Sequence, residues 1–500
     1  MSISIGDLYL LAPELSLSIV ALVVMMVDLF VKRRIVVVSV ALVGLIIPLA
    51  FTISQAVTLG ATTHRGFYNM LVVDPYSIFF QVVFLFIAII MILASYNYVA
   101  KYVKADGEFY TLLLFSVAGM MLMASTGDLI SIYISLELTS FPLYIMAGLI
   151  RTNERSAEAS VKYVLLGAMS SAILLYGFTL LYGLTGTTEL ASGPNGGLGI
   201  ATIILRDIHQ GNVLLLVAEV LILAGFGFKI SAVPFHMWAP DIYEGSPTPA
   251  TAFFSVGSKA AGFAALFRVF IYGNLGHLNL TTMVIVFSIV AVLTMTLGNF
   301  VAAVQNNVKR MMAYSSIAQA GYIMVGFIAS FSSGNAGGIA ASLFFIAVYV
   351  ITNLGAFSGI IALADLTGGE RIEDFRGLFK RAPFLSTCTA LCMLSLGGIP
   401  PVAGFFSKVI LFTTSWGVGL GWLVIIALLN SIISLVYYGR VVKAMFFDAP
   451  PKNDHLVTPA GLTISLGLAT LALIVLTIFP NIVLDPARLA GLSLFALLPK

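Results

Sequence analysis

Residues 224–261 read AGFGFKISAVPFHMWAPDIYEGSPTPATAFFSVGSKAA, and this stretch decides how the rest of the chain is interpreted. It holds two lysines, Lys229 and Lys259, each surrounded by apolar residues and separated by a Pro-rich polar turn. Moving an ammonium group out of water is costly, so a lysine in such surroundings is either paired with an acid or able to release its proton. Both lysines are therefore candidates for function.

The composition of the 500-residue chain is that of a membrane protein. Hydrophobic residues make up 60% of it and charged residues 9%, against about 25% charged residues in a soluble globular protein. Apolar runs repeatedly reach the ~20 residues that cross a bilayer. The first residues lack a basic segment and a small-residue cleavage site, so we expect no removable signal peptide. The expected fold is an all-α polytopic membrane protein.

Apolar runs and the breakers between them predict fourteen transmembrane helices. The predicted spans are residues 8–30, 35–55, 76–98, 109–126, 128–150, 159–184, 213–240, 248–272, 279–303, 308–330, 338–364, 384–415, 421–447 and 458–481.

Basic residues are distributed unevenly over the predicted loops. One set of alternate loops carries only Arg65, Arg206, Arg488 and Lys500. The other set carries Lys32, Arg33, Arg34, Lys101, Lys104, Arg151, Arg155, Lys309, Arg310, Arg371, Arg376, Lys380, Arg381, Arg440, Lys443 and Lys452. The positive-inside rule makes the richer set cytoplasmic. We therefore expect a multi-pass protein of the cell (cytoplasmic) membrane with both termini outside.

Two basic residues, Arg268 and Lys162, lie near the ends of predicted spans. Arg268 lies near the outer end of the eighth span, where we expect its side chain to snorkel to the interface. Lys162 stands one turn after Glu158 in the sixth span, a spacing that allows the two side chains to pair on one helix face. For Lys162 and Glu158, a structural role and a role in transport are both open.

Lys229, Lys259 and Lys408 lie too deep in their spans for easy snorkelling, and we predict that they take part in transport. Two of them stand beside predicted helix breaks. The seventh span is interrupted at residues 231–234, SAVP, and the twelfth at residues 397–401, GGIPP. Prolines withhold N–H donors there, and the freed carbonyls can hold water and stabilise a cation.

The sequence also indicates an internal repeat. Residues 144–150, YIMAGLI, match residues 322–328, YIMVGFI, and a weaker match follows between YVLLGAMS from Tyr163 and YVITNLGAFS from Tyr349. The order of these matches predicts two five-helix units, residues 109–272 and 273–447, between N-terminal helices in 1–108 and a C-terminal helix and tail in 448–500. Because five is odd, the second unit enters the membrane from the opposite side, as in the inverted repeats of transporters.

Acidic residues within the spans are few. Glu137 lies near the middle of the fifth span and needs a partner or a proton. The repeat alignment places Ser315 opposite it, so the second unit lacks the equivalent acid. We expect Glu14 and Glu219 to be structural.

No redox or nucleotide site is expected in this chain. It has no GxGxxG fingerprint and no P-loop. Its two cysteines, Cys388 and Cys392, lie four apart in an apolar run, and such a pair alone cannot bind a zinc ion or an iron–sulfur cluster. We predict apolar packing for both cysteines, no cofactor or metal in this chain and no nucleic-acid partner.

Five blocks resemble a known family, the N subunit of bacterial respiratory complex I, a proton-translocating NADH:quinone oxidoreductase. The resemblance runs over residues 13–445. The blocks are SLELTSFPLYIMAG, SAEASVKYVLLGAMSSAILLYG, GFGFKISAVPFHMWAPDIYEGSPTPATAFFSVGSKAAGFA, KRMMAYSSIAQAGY and LSLGGIPPVAGFFSKVILF.

The resemblance implies roles for the buried charges. Glu137 corresponds to a glutamate that pairs with the lysine at Lys229. Lys259 corresponds to a connecting lysine, and Lys408 to the lysine that leads to the outer exit, where one sister subunit has a glutamate. Lys162 and Glu158 correspond to less central polar positions.

The resemblance also implies partners and cofactors. The partners are the other complex I membrane subunits, among them a neighbouring antiporter-like subunit and a small K-type subunit, within the lipid bilayer. NAD(P)H or ferredoxin, FMN, iron–sulfur clusters and quinone belong to other subunits. Two alternatives stay open at this stage, a subunit of a Mrp-type cation/proton antiporter and a purely structural membrane scaffold.

Overall fold

The computed structural model describes residues 4–31, 33–103, 106–192, 197–451 and 454–496. Four basic residues of the predicted loops, Lys32, Lys104, Lys452 and Lys500, lie outside the described residues.

The first half of the chain contains thirteen α-helices and a short hairpin among its described residues. In order they are α1 (Ile5–Leu10), α2 (Ala12–Phe30), α3 (Arg34–Gly44), α4 (Ile46–Thr58), β1 (His64–Gly66), β2 (Leu71–Val73), α5 (Pro75–Tyr98), α6 (Asp106–Ala124), α7 (Leu129–Ala147), α8 (Glu154–Thr185), α9 (Ile200–Asp207), α10 (Val213–Ile230), α11 (Trp238–Gly245), α12 (Thr248–Phe253) and α13 (Lys259–Phe267).

The second half is helical throughout its described elements. They are α14 (Leu280–Val304), α15 (Val308–Ser333), α16 (Gly337–Thr367), a 3-10 turn (Ile372–Phe375), α17 (Leu378–Arg381), α18 (Pro383–Gly397), α19 (Ala403–Gly417), α20 (Gly421–Phe446), α21 (Ala460–Ile478) and α22 (Asn481–Phe495).

Thirteen helical segments in the described part of the chain are long and apolar enough to cross a membrane. Each of them falls on one of the predicted spans. The twelfth predicted span instead consists of two shorter helices, α18 and α19, separated by residues 398–402. The all-α polytopic fold is thereby confirmed, while the count of fourteen and the inverted repeats stay predictions.

The break predicted at residues 231–234 of the seventh span is confirmed, whereas the predicted end of that span at residue 240 is not. Helix α10 stops at Ile230, because Ser231 has a left-handed backbone with φ +58° and Pro234 follows it. The chain then turns into the short helix α11. Hydropathy continues through this turn, which is why the span was predicted to run on to residue 240.

Two further elements were not predicted from the sequence. The hairpin pairs His64 with Val73 and leads to Asp74, whose side chain accepts a hydrogen bond from Ser77 N and so begins α5. At the other end of the chain, α22 follows α21 almost directly. Its exposed Asp485 and Arg488 interrupt the apolar pattern, which is why no span was predicted there.

The most buried helices form the centre of the bundle. The segment from α12 through α13 to Tyr272 is buried throughout, and it contains two π-helical turns, Phe254–Ser258 and Arg268–Tyr272. Helices α15 and α16 are also buried along nearly their whole length. Helices that are apolar all round belong in such a core. Lys259, the first residue of α13, therefore lies within the core of the bundle.

Candidate functional site

Lys229 lies in the last turn of α10, directly before the break, and only 4% of it is exposed. Its Nζ donates a hydrogen bond to Ser140 Oγ of α7. The ring of Tyr144, one turn further along α7, lies 5.9 Å from the same nitrogen. The ammonium group is thus held by a neutral hydroxyl and an aromatic face.

The structure does not bring Glu137 and Lys229 into contact. Glu137 is half-buried on α7, one turn before the fully buried Ser140. Residues three apart on a helix are neighbours, and of these two it is Ser140 that Lys229 contacts. The pairing implied by the family resemblance is therefore not formed among the described residues.

Lys259 begins α13, immediately after the first π-helical turn, and 2% of it is exposed. Its Nζ donates a 2.6 Å hydrogen bond to Ser316 Oγ of α15. Among the contacts of Lys259 in the described structure there is no carboxylate. This lysine too is buried against a neutral hydroxyl.

Lys408 lies in α19 with its ammonium group at the end of α18. It donates hydrogen bonds of 3.3 Å to Leu396 O, 2.9 Å to Gly397 O and 2.9 Å to Ser431 Oγ. The last carbonyls of a helix have no partner within it and carry partial negative charge. The break in the twelfth predicted span thus supplies two of the three oxygens that this cation contacts.

One face of α15 connects the second and third lysines. Ser316 contacts Lys259, and one turn further Gln319 donates a 3.2 Å hydrogen bond to Leu396 O, the carbonyl that Lys408 also contacts. A cavity of about 10 Å³ lies beside Gln319 and Lys408, close to the space that a single water molecule occupies. Ser316 and Gln319, one turn apart on α15, therefore lie beside Lys259 and beside a carbonyl that Lys408 contacts.

A tyrosine ring lies near Lys229 and another near Lys408, and both tyrosines belong to the sequence repeat. The matching heptapeptides begin at Tyr144 and Tyr322, and the ring of Tyr322 lies 5.2 Å from Lys408 Nζ, as that of Tyr144 lies near Lys229. Sequence reasoning did not assign these tyrosines a place in the site. The sequence repeat could have identified them, because each matching heptapeptide begins with one of these tyrosines.

Several polar atoms around the lysines are buried and have no hydrogen-bond partner among the described residues. They are Tyr144 Oη, Tyr163 Oη, Ser231 Oγ, His236 Nδ1, Tyr243 Oη and Ser258 Oγ. Buried polar groups normally have a protein or water partner. We expect ordered water at these atoms.

A charged cluster lies beside the N-terminal part of α8. Lys162 Nζ is 2.7 Å from Glu158 and 3.2 Å from Asp241, which confirms the predicted pairing within the sixth span. Arg310 joins the cluster at 3.0 Å from both Asp241 and Glu244. These side chains surround a cavity of about 280 Å³. The cluster offers charged groups and space for water at one entrance to the bundle.

The prediction that Arg268 snorkels to the membrane interface was wrong. Its side chain is fully buried, and its guanidinium donates two hydrogen bonds of 2.7 Å to the carboxylate of Asp74. It also donates to Ala124 O, at the end of α6. Asp74, 194 residues away in the chain, neutralises the guanidinium charge. The side chain can therefore stay buried without contact with water.

The other buried acids and the cysteines lie outside the row of lysines. Glu14 accepts hydrogen bonds from Gln81 and Ser125, and Glu219 accepts from Gly276 N and Asn279. Cys388 and Cys392 are buried and free. Among the described residues, no three His, Cys, Asp or Glu side chains are placed to hold a metal ion.

The fold and the row of buried lysines define an antiporter-like membrane subunit, and the comparisons give its family. The family described as NADH:quinone oxidoreductase/Mrp antiporter, TM, matches residues 126–434. NADH-quinone oxidoreductase subunit N of Desulforamulus reducens is 41% identical over 457 residues, which cover 91% of each chain. The chain belongs to this family, on the branch of the N subunits of NADH-quinone oxidoreductase.

Solved structures agree with this placement. A chain of respiratory complex I from Thermus thermophilus, solved with bound aureothin, is 30% identical with a TM-score of 0.76, covering 95% of this chain and 98% of that one. A chain of the Mrp complex from Dietzia sp. DQ12-45-1b has a TM-score of 0.84 and covers 97% of both chains. Its identity is 20%, a level that shows likeness of fold alone.

Proposed function

We propose that this chain translocates protons as the N subunit of an NADH:quinone oxidoreductase, while other subunits reduce quinone. The observation that carries the proposal is the row formed by Lys229, Lys259 and Lys408. Each is buried and hydrogen-bonded to neutral groups. A buried ammonium group without a counter-charge is unstable relative to its neutral form, so it can pass its proton on.

The proposed route starts at the charged cluster. A proton enters near Glu158 and Lys162, reaches Lys229 and passes through water to Lys259. It then moves along the polar face of α15 to Lys408 and leaves on the opposite side of the membrane. Each lysine contacts a serine hydroxyl, of Ser140, Ser316 or Ser431, that can accept one hydrogen bond and donate another, as a proton relay requires.

In this proposal Glu137 is a switch. Its carboxylate would stabilise charged Lys229 by approaching it, and Lys229 would return to Ser140 when the carboxylate withdraws. A lysine that alternates between an acid and a neutral hydroxyl alternates between holding and releasing its proton. Quinone reduction elsewhere in the complex would drive this exchange.

The proposed partners are the other membrane subunits of the complex, including a neighbouring antiporter-like subunit and a small K-type subunit. NAD(P)H or ferredoxin, FMN, the iron–sulfur clusters and quinone would act in other subunits. The Mrp-type antiporter is the second candidate, and the chain shares its fold with a chain of the Dietzia Mrp complex. The greater identity to N subunits supports the first proposal over it.

Purification from native membranes tests the assignment. We expect the chain to copurify with redox subunits and with an NADH- or ferredoxin-linked quinone reductase activity, and to lose that activity completely when separated from them. Proteomics of the preparation and quinone reduction assays before and after separation measure both results. Quinone reduction by the separated chain would contradict the proposal, and copurification with Mrp subunits alone would favour the antiporter.

Labelling of single cysteines tests the direction of transport. The chain has two cysteines, so a Cys388→Ala/Cys392→Ala background has no thiol of its own that a maleimide can label. We expect a membrane-impermeant maleimide to label Arg206→Cys from outside, and Arg376→Cys only after the membrane is opened. Both side chains are largely exposed, so access alone decides the result. The opposite pattern would reverse the proposed orientation.

A further inference from the structure

A large apolar cavity lies away from the lysines, between α4, α5, α16, α21 and α22. Its volume is about 710 Å³, and all of its lining residues are apolar side chains or glycine. Two of them, Val82 and Ile482, are 46% and 59% exposed, so the cavity opens on the outer surface of the bundle. On a membrane-spanning helix such as α5 that surface faces lipid.

The cavity has the depth of one leaflet. On α5 it is lined by one helical face from Pro75 to Phe86, twelve residues whose Cα atoms span about 16 Å at a rise of 1.5 Å per residue. This length is about half of the ~30 Å hydrocarbon core of a bilayer. Pro75 is the first residue of α5, so the cavity runs from the membrane surface to the middle of the bilayer.

The cavity is a wedge that closes at mid-membrane. Towards the other surface, α21 approaches α5 so closely that a Cβ on Gly461 would lie 2.7 Å from Leu93 O. Further along, Ala472 and Val475 of α21 line the open end of the wedge. A membrane-spanning helix of another protein could not pass through this closed end, whereas a chain that reaches only to mid-membrane fits.

Helix α22 lies at the open end of the wedge. Val483, Pro486 and Leu489 face the cavity, while Asp485 and Arg488 are exposed and paired with each other at 3.2 Å. Exposed charged side chains on an otherwise apolar helix place it at the interface between hydrocarbon and water. The open end of the wedge is therefore at the level of lipid headgroups.

We propose that this wedge binds a membrane phospholipid, with an acyl chain inserted between α5 and α21 and the headgroup beside α22. An apolar space of this size left empty would deprive its walls of dispersion contacts. The acyl chain is the apolar partner that the surrounding leaflet supplies, and its terminal carbons would reach Val83 and Phe86.

Photo-crosslinking in the assembled complex tests the proposal. A phospholipid carrying a diazirine in its acyl chain is incorporated into membranes containing the complex, and the labelled peptides are identified by mass spectrometry. We expect labelling within residues 75–86 and 472–489. Ala472→Phe and Ala56→Phe, which fill the wedge from two walls, should each lower this labelling about tenfold, corresponding to about 1.4 kcal/mol of lost affinity.

A matched substitution separates the wedge from the general lipid surface. Ala172 is exposed on α8, outside the cavity, so Ala172→Phe should leave labelling of the wedge unchanged. Ala56 is also exposed, and its substitution should not impair folding even if Ala472→Phe does. The proposal would be overturned if labelling of the wedge persisted in Ala56→Phe or if labelling were confined to other surfaces. Recovery of a peptide from another subunit in the wedge would also overturn it. Preferential labelling by a photoreactive quinone would also overturn it.

Discussion

Complexes that carry Lys229→Arg are expected to assemble but not to pump protons. Arginine keeps the positive charge and can donate to Ser140 as Lys229 does. Its guanidinium, however, does not give up its proton in proteins. A relay that depends on proton release should therefore stop, whereas a structural cation should be replaced without loss. Lys229→Ala should also abolish pumping, and both variants should slow quinone reduction because a blocked channel halts a coupled cycle.

The measurement is the ratio of protons to electrons in proteoliposomes. Lys408→Arg should give the same loss, since arginine can still donate to the carbonyls of Leu396 and Gly397. Lys101→Arg is the matched control, because Lys101 is 54% exposed and pairs with Asp365, a contact that arginine can keep. A normal ratio in both the Lys229→Arg and the Lys408→Arg complexes would show that these lysines are structural cations, and the proposed relay would be abandoned.

The second large effect is expected at Arg268. Arg268→Ala should destabilise the chain by about 3–5 kcal/mol, the typical cost of leaving one partner of a buried ion pair unpaired. The substitution leaves Asp74 buried without a counter-charge and removes the contact to Ala124 O. The amount of assembled complex in the membrane and its thermal inactivation temperature measure the loss. A residue at the interface with water would give a mild effect.

A double variant distinguishes the ion pair from simple packing. Asn is a good N-cap residue, so Asp74→Asn keeps the start of α5 while it removes the buried negative charge. Combined with Arg268→Met, it should recover much of the assembly that Arg268→Ala loses. If Arg268→Ala assembles as well as the native chain, the pair does not hold α5 and α13 together.

The lysines and breaks could be found in the sequence because their signals are local. A lysine within an apolar run is visible by itself, and Gly397, Gly398 and Pro400 mark a helix break wherever the helix lies. Local signals also gave the pairing of Lys162 with Glu158, since residues four apart on a helix are neighbours. The contact between Lys229 and Ser140 joins two helices far apart in the chain, so no spacing rule could predict it.

The sequence by itself determined that this chain crosses the membrane many times as helices, because hydropathy and helix period act over about twenty residues. It also determined the family, through blocks of residues that match the N subunits. Tertiary structure decided which groups surround each charge: Ser316 for Lys259, helix-end carbonyls for Lys408 and Asp74 for Arg268. These partners depend on how distant helices are packed and rotated against one another, and that is settled only when the whole bundle is assembled.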